Sequence, residues 1–140
     1  MKPVILLVDD DDTLGKVLSR VLERQGLTVY RATTVDQALQ VAEERWPQLA
    51  LLDLCLPDGD GVQLARKLRT KSPGLALILM TAFPLRLHED PTVAAGFQQV
   101  LTKPLNLQEL RHVVQSALGE ALTAATVAGT SPESPARFVG

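Results

Sequence analysis

VILLVDDDD, residues 4–12, is an apolar run of five residues that stops at four consecutive aspartates. The run is too short for a helix and has no polar position to turn toward water, so it reads as a strand buried on both faces. Three later stretches repeat the pattern: LALL ends at Asp53, ALILM at Thr81, and QQVLT at Lys103-Pro104. In a parallel sheet covered by helices, ligands gather where the carboxyl ends of the strands meet. Asp9, Asp10, Asp53, Thr81 and Lys103 would then share one crevice, with three carboxylates facing a hydroxyl and an ammonium.

The intervening segments have helical spacing. Leu14, Val17, Leu18, Val21 and Leu22 form one stripe, with Asp11 or Asp12 placed to cap it and Gly26 to end it. Residues 27–31 make a shorter, more polar strand suited to a sheet edge. Thr34-Val35-Asp36-Gln37 has the form of a capping box and opens a helix that stops before Pro47. Strands are expected at 49–54, 75–80 and 98–101, and helices at 62–70 and from Asn106 onward. Leu107, Leu110, Val113, Val114, Ala117 and Leu118 line the last helix. Between Thr81 and Gly96, Pro84 and Pro91 leave room only for a short or irregular fourth helix at 92–95, after an Asp90 cap. Five strands alternating with helices predict an α/β fold, a doubly wound parallel sheet with helices on both faces.

The chain of 140 residues holds one domain, residues 1–121, and a segment 122–140 rich in small residues and proline that reads as a flexible tail or linker. A net charge of −2 without a basic cluster argues against direct nucleic-acid binding. One cysteine, Cys55, excludes an internal disulfide. No apolar stretch approaches membrane-spanning length and no signal peptide is apparent, so a cytoplasmic location is expected.

Two unit charges about 4 Å apart repel by roughly 4 kcal/mol at an effective dielectric near 20. Asp9, Asp10 and Asp53 therefore call for a divalent cation, and an all-oxygen set suits Mg2+, which readily takes a phosphate oxygen as a further ligand. Asp53, at the end of a central strand, can attack phosphorus to give an acyl phosphate. Lys103 and Thr81 can stabilise phosphoryl oxygens. Neither GxGxxG nor GxxxxGK[ST] is present, so nothing indicates a nucleotide.

In this order, ILLVDDD, LLDLCLPDGDG, ILMTA and LTKPL resemble the receiver domain of two-component response regulators, the CheY-like superfamily, over residues 3–120. The resemblance implies a flavodoxin-like sheet in strand order 2-1-3-4-5. It implies Asp53 as phosphoacceptor, Asp10 as a direct ligand of Mg2+ or Mn2+, Asp9 as its acidic support and the backbone carbonyl of Cys55 as another ligand. Thr81 would be the switch hydroxyl and Lys103 the phosphate-pairing cation, preceding a cis bond to Pro104. The implied donor is a phosphohistidine on a sensor histidine kinase or phosphotransfer protein, and the implied response includes homodimerisation. Such a domain is a switch with only self-directed phosphotransfer and dephosphorylation, not an enzyme for outside substrates. Two departures fall on its output face: Val100 stands where the family has an aromatic, with Phe97 nearby but out of register, and prolines break the fourth helix.

Plainer roles are expected elsewhere. Asp58 and Asp60 serve the turn, with Gly59 and Gly61 permitting unusual backbone angles. Cys55 is a small buried filler, Trp46 a packing residue at a helix end, and His88 and His112 surface residues. Two other functions fit the residues: an interaction module recognised without phosphorylation, and a Mg2+-dependent phosphatase. The second lacks an insertion to close over a substrate.

Overall fold

The structure, a computed structural model, describes residues 2–82 and 96–129, with side chains as far as residue 119. The expectations for the fourth helix and its prolines, for His88, and for the tail beyond Gly129 lie outside these residues. The elements are β1 (Val4–Val8), α1 (Asp12–Arg24), β2 (Thr28–Ala32), α2 (Val35–Arg45), β3 (Leu49–Asp53), β4 (Cys55–Leu56), β5 (Gly59–Asp60), α3 (Gly61–Lys71), β6 (Ala76–Thr81), β7 (Gln99–Thr102) and α4 (Leu107–Gly129).

Five strands form one parallel sheet in the order β2-β1-β3-β6-β7, the expected 2-1-3-4-5 when only its own strands are counted. Strand alternation feeds two cores. Ile5, Leu7, Leu49, Leu51, Ile78 and Met80 point to the layer of α1 and α4. Leu6, Val8, Ala50, Leu52, Leu77 and Leu79 point to that of α2 and α3. A strand apolar on both faces gains nothing from one register over the next. Two glutamines supply the missing constraint. Gln48 Oε1 accepts from Val4 N at 2.6 Å while Gln48 N donates to Val4 O at 2.9 Å. Gln98 repeats the arrangement on Leu77 at 2.7 and 2.9 Å.

The helix starts follow from their caps. Asp11 caps α1, its carboxylate accepting from Leu14 N at 3.0 Å, and Gly26 leaves α1 at φ 88°. Thr34 accepts from Gln37 N at 3.1 Å, and the Gln37 side chain turns back to Thr33 N at 2.8 Å. Asp60 caps α3 through Gln63 N at 2.8 Å. Asp58 acts farther away than the turn reading allows, accepting from Val35 N at 2.7 Å and Asp36 N at 3.2 Å. It thus closes the first turn of α2 from the loop after β3. The Val35 amide is the main cause that holds the Asp58 carboxyl below its ordinary value. A depressed carboxylate stabilises the fold above its unfolded value of 3.8, and that support fades as pH falls through the lower folded value. Asp58→Asn should therefore melt below wild type at neutral pH, with the gap closing in acid; an equal gap at all pH values would contradict the cap.

Trp46, Leu107 and the end of α4 depart from expectation. Trp46 is 70% exposed, in the left-handed region at φ 50°, where it ends α2 just before Pro47. Leu107, in the first turn of α4, is exposed rather than part of the buried stripe. The backbone of α4 is helical to Gly129, past residue 121, through a segment containing Ala121, Ala124, Ala125 and Ala128, and alanine is the strongest helix former. Among the described residues no helix is long and apolar enough to cross a membrane.

Candidate functional site

The parallel sheet delivers the polar ends of four strands to one edge. Asp9 follows β1, with its amide on Ala32 O at 3.1 Å. Asp53 closes β3 and Thr81 closes β6 one register step beyond it, since Asp53 pairs with Met80. Lys103 follows β7, its amide on Thr81 O at 2.9 Å. Asp9, Asp53 and Thr81 are the buried polar residues among those described, at 2%, 8% and 1% exposure. The Lys103–Pro104 peptide bond is cis.

Lys103 Nζ donates to Asp9 Oδ2 at 3.0 Å and to Asp53 Oδ2 at 3.2 Å. Asp9 Oδ1 also accepts from Asp11 N at 2.8 Å, so both oxygens of Asp9 hold the site together. Asp10 is exposed, and ligand oxygens of Asp9, Asp10 and Asp53 lie within 4.8 Å of one another. Burial first, then the charge of Asp9, raises the Asp53 carboxyl above its ordinary value, against the pull of Lys103 and the Cys55 amide. Burial works against the Lys103 charge, but Asp9 first and then Asp53 outweigh it and raise the ammonium. One cation therefore faces two buried carboxylates and the exposed Asp10, which leaves the acidic set under-neutralised. That excess, on hard oxygen donors, fits a divalent cation such as Mg2+.

Residues outside the expected set shape this edge. Gly61 starts α3 directly against Asp53: a Cβ there would lie 2.3 Å from Asp53 O and 3.1 Å from its carbonyl carbon. Its amide bonds Leu54 O at 2.8 Å. Its backbone is not in the left-handed region, so the glycine is required for close approach rather than for an unusual angle. The turn cluster hinted at special glycines but not at which contact they serve. Cys55 is exposed rather than a buried filler, because β4 pairs with β5 outside the main sheet. Val100 is half-buried in β7, opposite Leu79, and packs with Phe97 on the core beneath α3.

A family profile described as "Response regulator receiver domain" matches residues 5–115. The chain belongs to the response regulator receiver domain family. The receiver is 34% identical over 114 residues to the KDP operon transcriptional regulatory protein KdpE of Escherichia coli (strain K12), covering 81% of this chain and 50% of that one. It thus spans about half the length of that curated relative. A CheY-like receiver domain protein from Methanospirillum hungatei JF-1 superposes with TM-score 0.82 at 29% identity, over 89% of this chain and 99% of the other. TrrA from Thermotoga maritima, solved in complex with Mg(2+)-BeF, does so with TM-score 0.75 at 26% identity, over 84% and 99%. Receiver domains of two-component systems carry a phosphoacceptor, bind Mg2+ at an acidic pocket and interact with sensor kinases or phosphotransfer proteins.

Proposed function

We propose that this receiver takes a phosphoryl group from a phosphohistidine onto Asp53 and thereby switches a protein-interaction surface. The observation that carries the reading is the bridge from Lys103 to both Asp9 and Asp53 at the carboxyl ends of the strands. Asp10, Asp53 and the backbone carbonyl of Cys55 would hold Mg2+ or Mn2+, with Asp9 behind them. When bound, the ion neutralises charge on the phosphoryl oxygens and on the carboxylates.

An Asp53 oxygen attacks phosphorus, the P–N bond to the donor histidine breaks, and the freed imidazole nitrogen takes up a proton. Lys103, already 3.2 Å from that carboxylate, passes from Asp53 to the arriving phosphoryl oxygens. Thr81, one register step beyond on the neighbouring strand, donates its hydroxyl to the same group. Water hydrolyses the acyl phosphate slowly, so the chemistry is self-directed and the protein acts as a switch rather than as an enzyme for outside substrates. Residues 1–121 are the switch domain, and 122–140 serve as a tail or linker. The donor is a sensor histidine kinase or phosphotransfer protein, the response includes a homodimer, and the chain itself does not bind nucleic acid. Val100 in place of an aromatic leaves the threonine without its usual coupled ring, so the output face responds in its own way.

Intact mass after incubation with acetyl phosphate tests this reading, with sizing of the same samples. One phosphoryl adduct should form with Mg2+ and none with a chelator. No adduct in either condition would overturn it and favour the interaction-module reading; equal adducts in both would overturn the metal dependence.

A further inference from the structure

Lys103 ties the acidic loop through Asp9, and a second cation ties it through Asp12. Arg31 lies in β2 opposite Leu7 of β1, one residue before the Ala32 carbonyl that receives the Asp9 amide. Its Nη2 donates to the Asp12 carboxylate at 2.8 Å and to the Asp12 backbone carbonyl at 3.2 Å. The guanidinium reaches both because α1 has no side chain beneath it. A Cβ on Gly15 would stand 2.5 Å from Nη2 and 2.8 Å from Cζ. Arg31 therefore lies on the bare first turns of α1.

The loop is thus held on both sides of Asp10. Before it, Asp9 is fixed by Lys103 and by Ala32 O. After it, Asp11 donates to Asp9 and caps Leu14, and Asp12 is gripped at side chain and backbone. Lys16 also pairs with Asp12 at 3.3 Å, but both side chains are about two-thirds exposed, where ion pairs add little stability. The clamp is worth more as geometry than as stability.

We propose that Arg31, seated on Gly15, is a positioning residue for the metal-holding loop: through Asp12 it sets where the Asp10 carboxylate stands relative to Asp53. This rests on Asp10 being a metal ligand, as proposed above. Charge and geometry predict opposite signs. A cation beside an acidic cluster opposes a bound metal, so removing Arg31 would tighten metal binding if charge alone mattered. Loss of positioning loosens it.

Mn2+ binding by electron paramagnetic resonance, with Mg2+ as competitor, separates the two in the full chain. Residues that orient metal ligands typically change affinity by about 10- to 100-fold, and Arg31 acts one residue further out, so about three- to tenfold weaker binding is expected for Arg31→Ala. Gly15→Ala should do the same while leaving the charge in place. In the metal-free protein, the amides of Asp11 and Leu14 should exchange with solvent faster in both variants. Unchanged or tighter Mn2+ binding by Arg31→Ala, with wild-type amide exchange, would overturn the proposal. If wild type itself bound no Mn2+, the metal reading would fail, and the exchange rates would decide the clamp by themselves.

Discussion

Asp53→Asn should abolish the acyl phosphate. An amide keeps the shape of the carboxylate but offers no anionic oxygen to attack phosphorus, and loss of a covalent nucleophile costs about 10^4-fold or more. The neighbouring carboxylates are poor substitutes. Asp9 already spends one oxygen on the Asp11 amide and the other on Lys103, and Asp10 is exposed beyond the strand ends. Misfolding would not explain the loss. Burial and Asp9 both disfavour charge at Asp53, so a neutral side chain there relieves repulsion in the metal-free protein. The check is intact mass of both proteins with Mg2+ and phosphodonor, beside their melting curves. Labelling of the Asn variant at the wild-type rate would move the acceptor to another residue.

The crevice was legible in the sequence because β1, β3 and β6 are short apolar runs with abrupt polar ends, and β7, though half polar, leads straight into Lys103-Pro104. Such runs announce both a buried strand and its exit point, and a parallel sheet collects those exits on one edge. Asp9, Asp53, Thr81 and Lys103 needed no knowledge of loop geometry for this reason. Strand bounds moved by about one residue, which is ordinary at element ends.

What remained hidden was carried by contacts between residues far apart in the chain. The Asp58 cap on Val35 spans 23 positions and the Gln48 bond to Val4 spans 44. No local pattern distinguishes an aspartate that serves its own turn from one that reaches a neighbouring helix. Arg31 read as a polar residue of an edge strand, and its purpose appears only when Gly15 is seen beneath it. Cys55 was misjudged because the average habit of cysteine is burial, whereas the hairpin of β4 and β5 turns this one outward.

Gly61→Ala should be the most damaging small substitution near the site. Helix propensity alone would favour alanine by up to about 1 kcal/mol. The contact reverses that sign, because the added methyl would meet a backbone carbonyl at 2.3 Å, and a backbone atom cannot rotate out of the way as a side chain can. Either α3 must shift from β3 or the Asp53 peptide must move, and overpacking of this kind costs about 1–3 kcal/mol. A loss near 2 kcal/mol lowers Tm by roughly 6–10 °C for a domain of this size. The same displacement reaches the acceptor, so acyl phosphate should form more slowly even where the variant remains folded. Gly74→Ala is the matching control, since a Cβ there meets nothing within 4 Å and its backbone is not left-handed. Thermal melts and adduct formation for both variants test the point. A Gly61→Ala protein that melted with wild type and labelled at its rate would mean that α3 does not press on the Asp53 carbonyl, and the placement of Asp53 would need another cause.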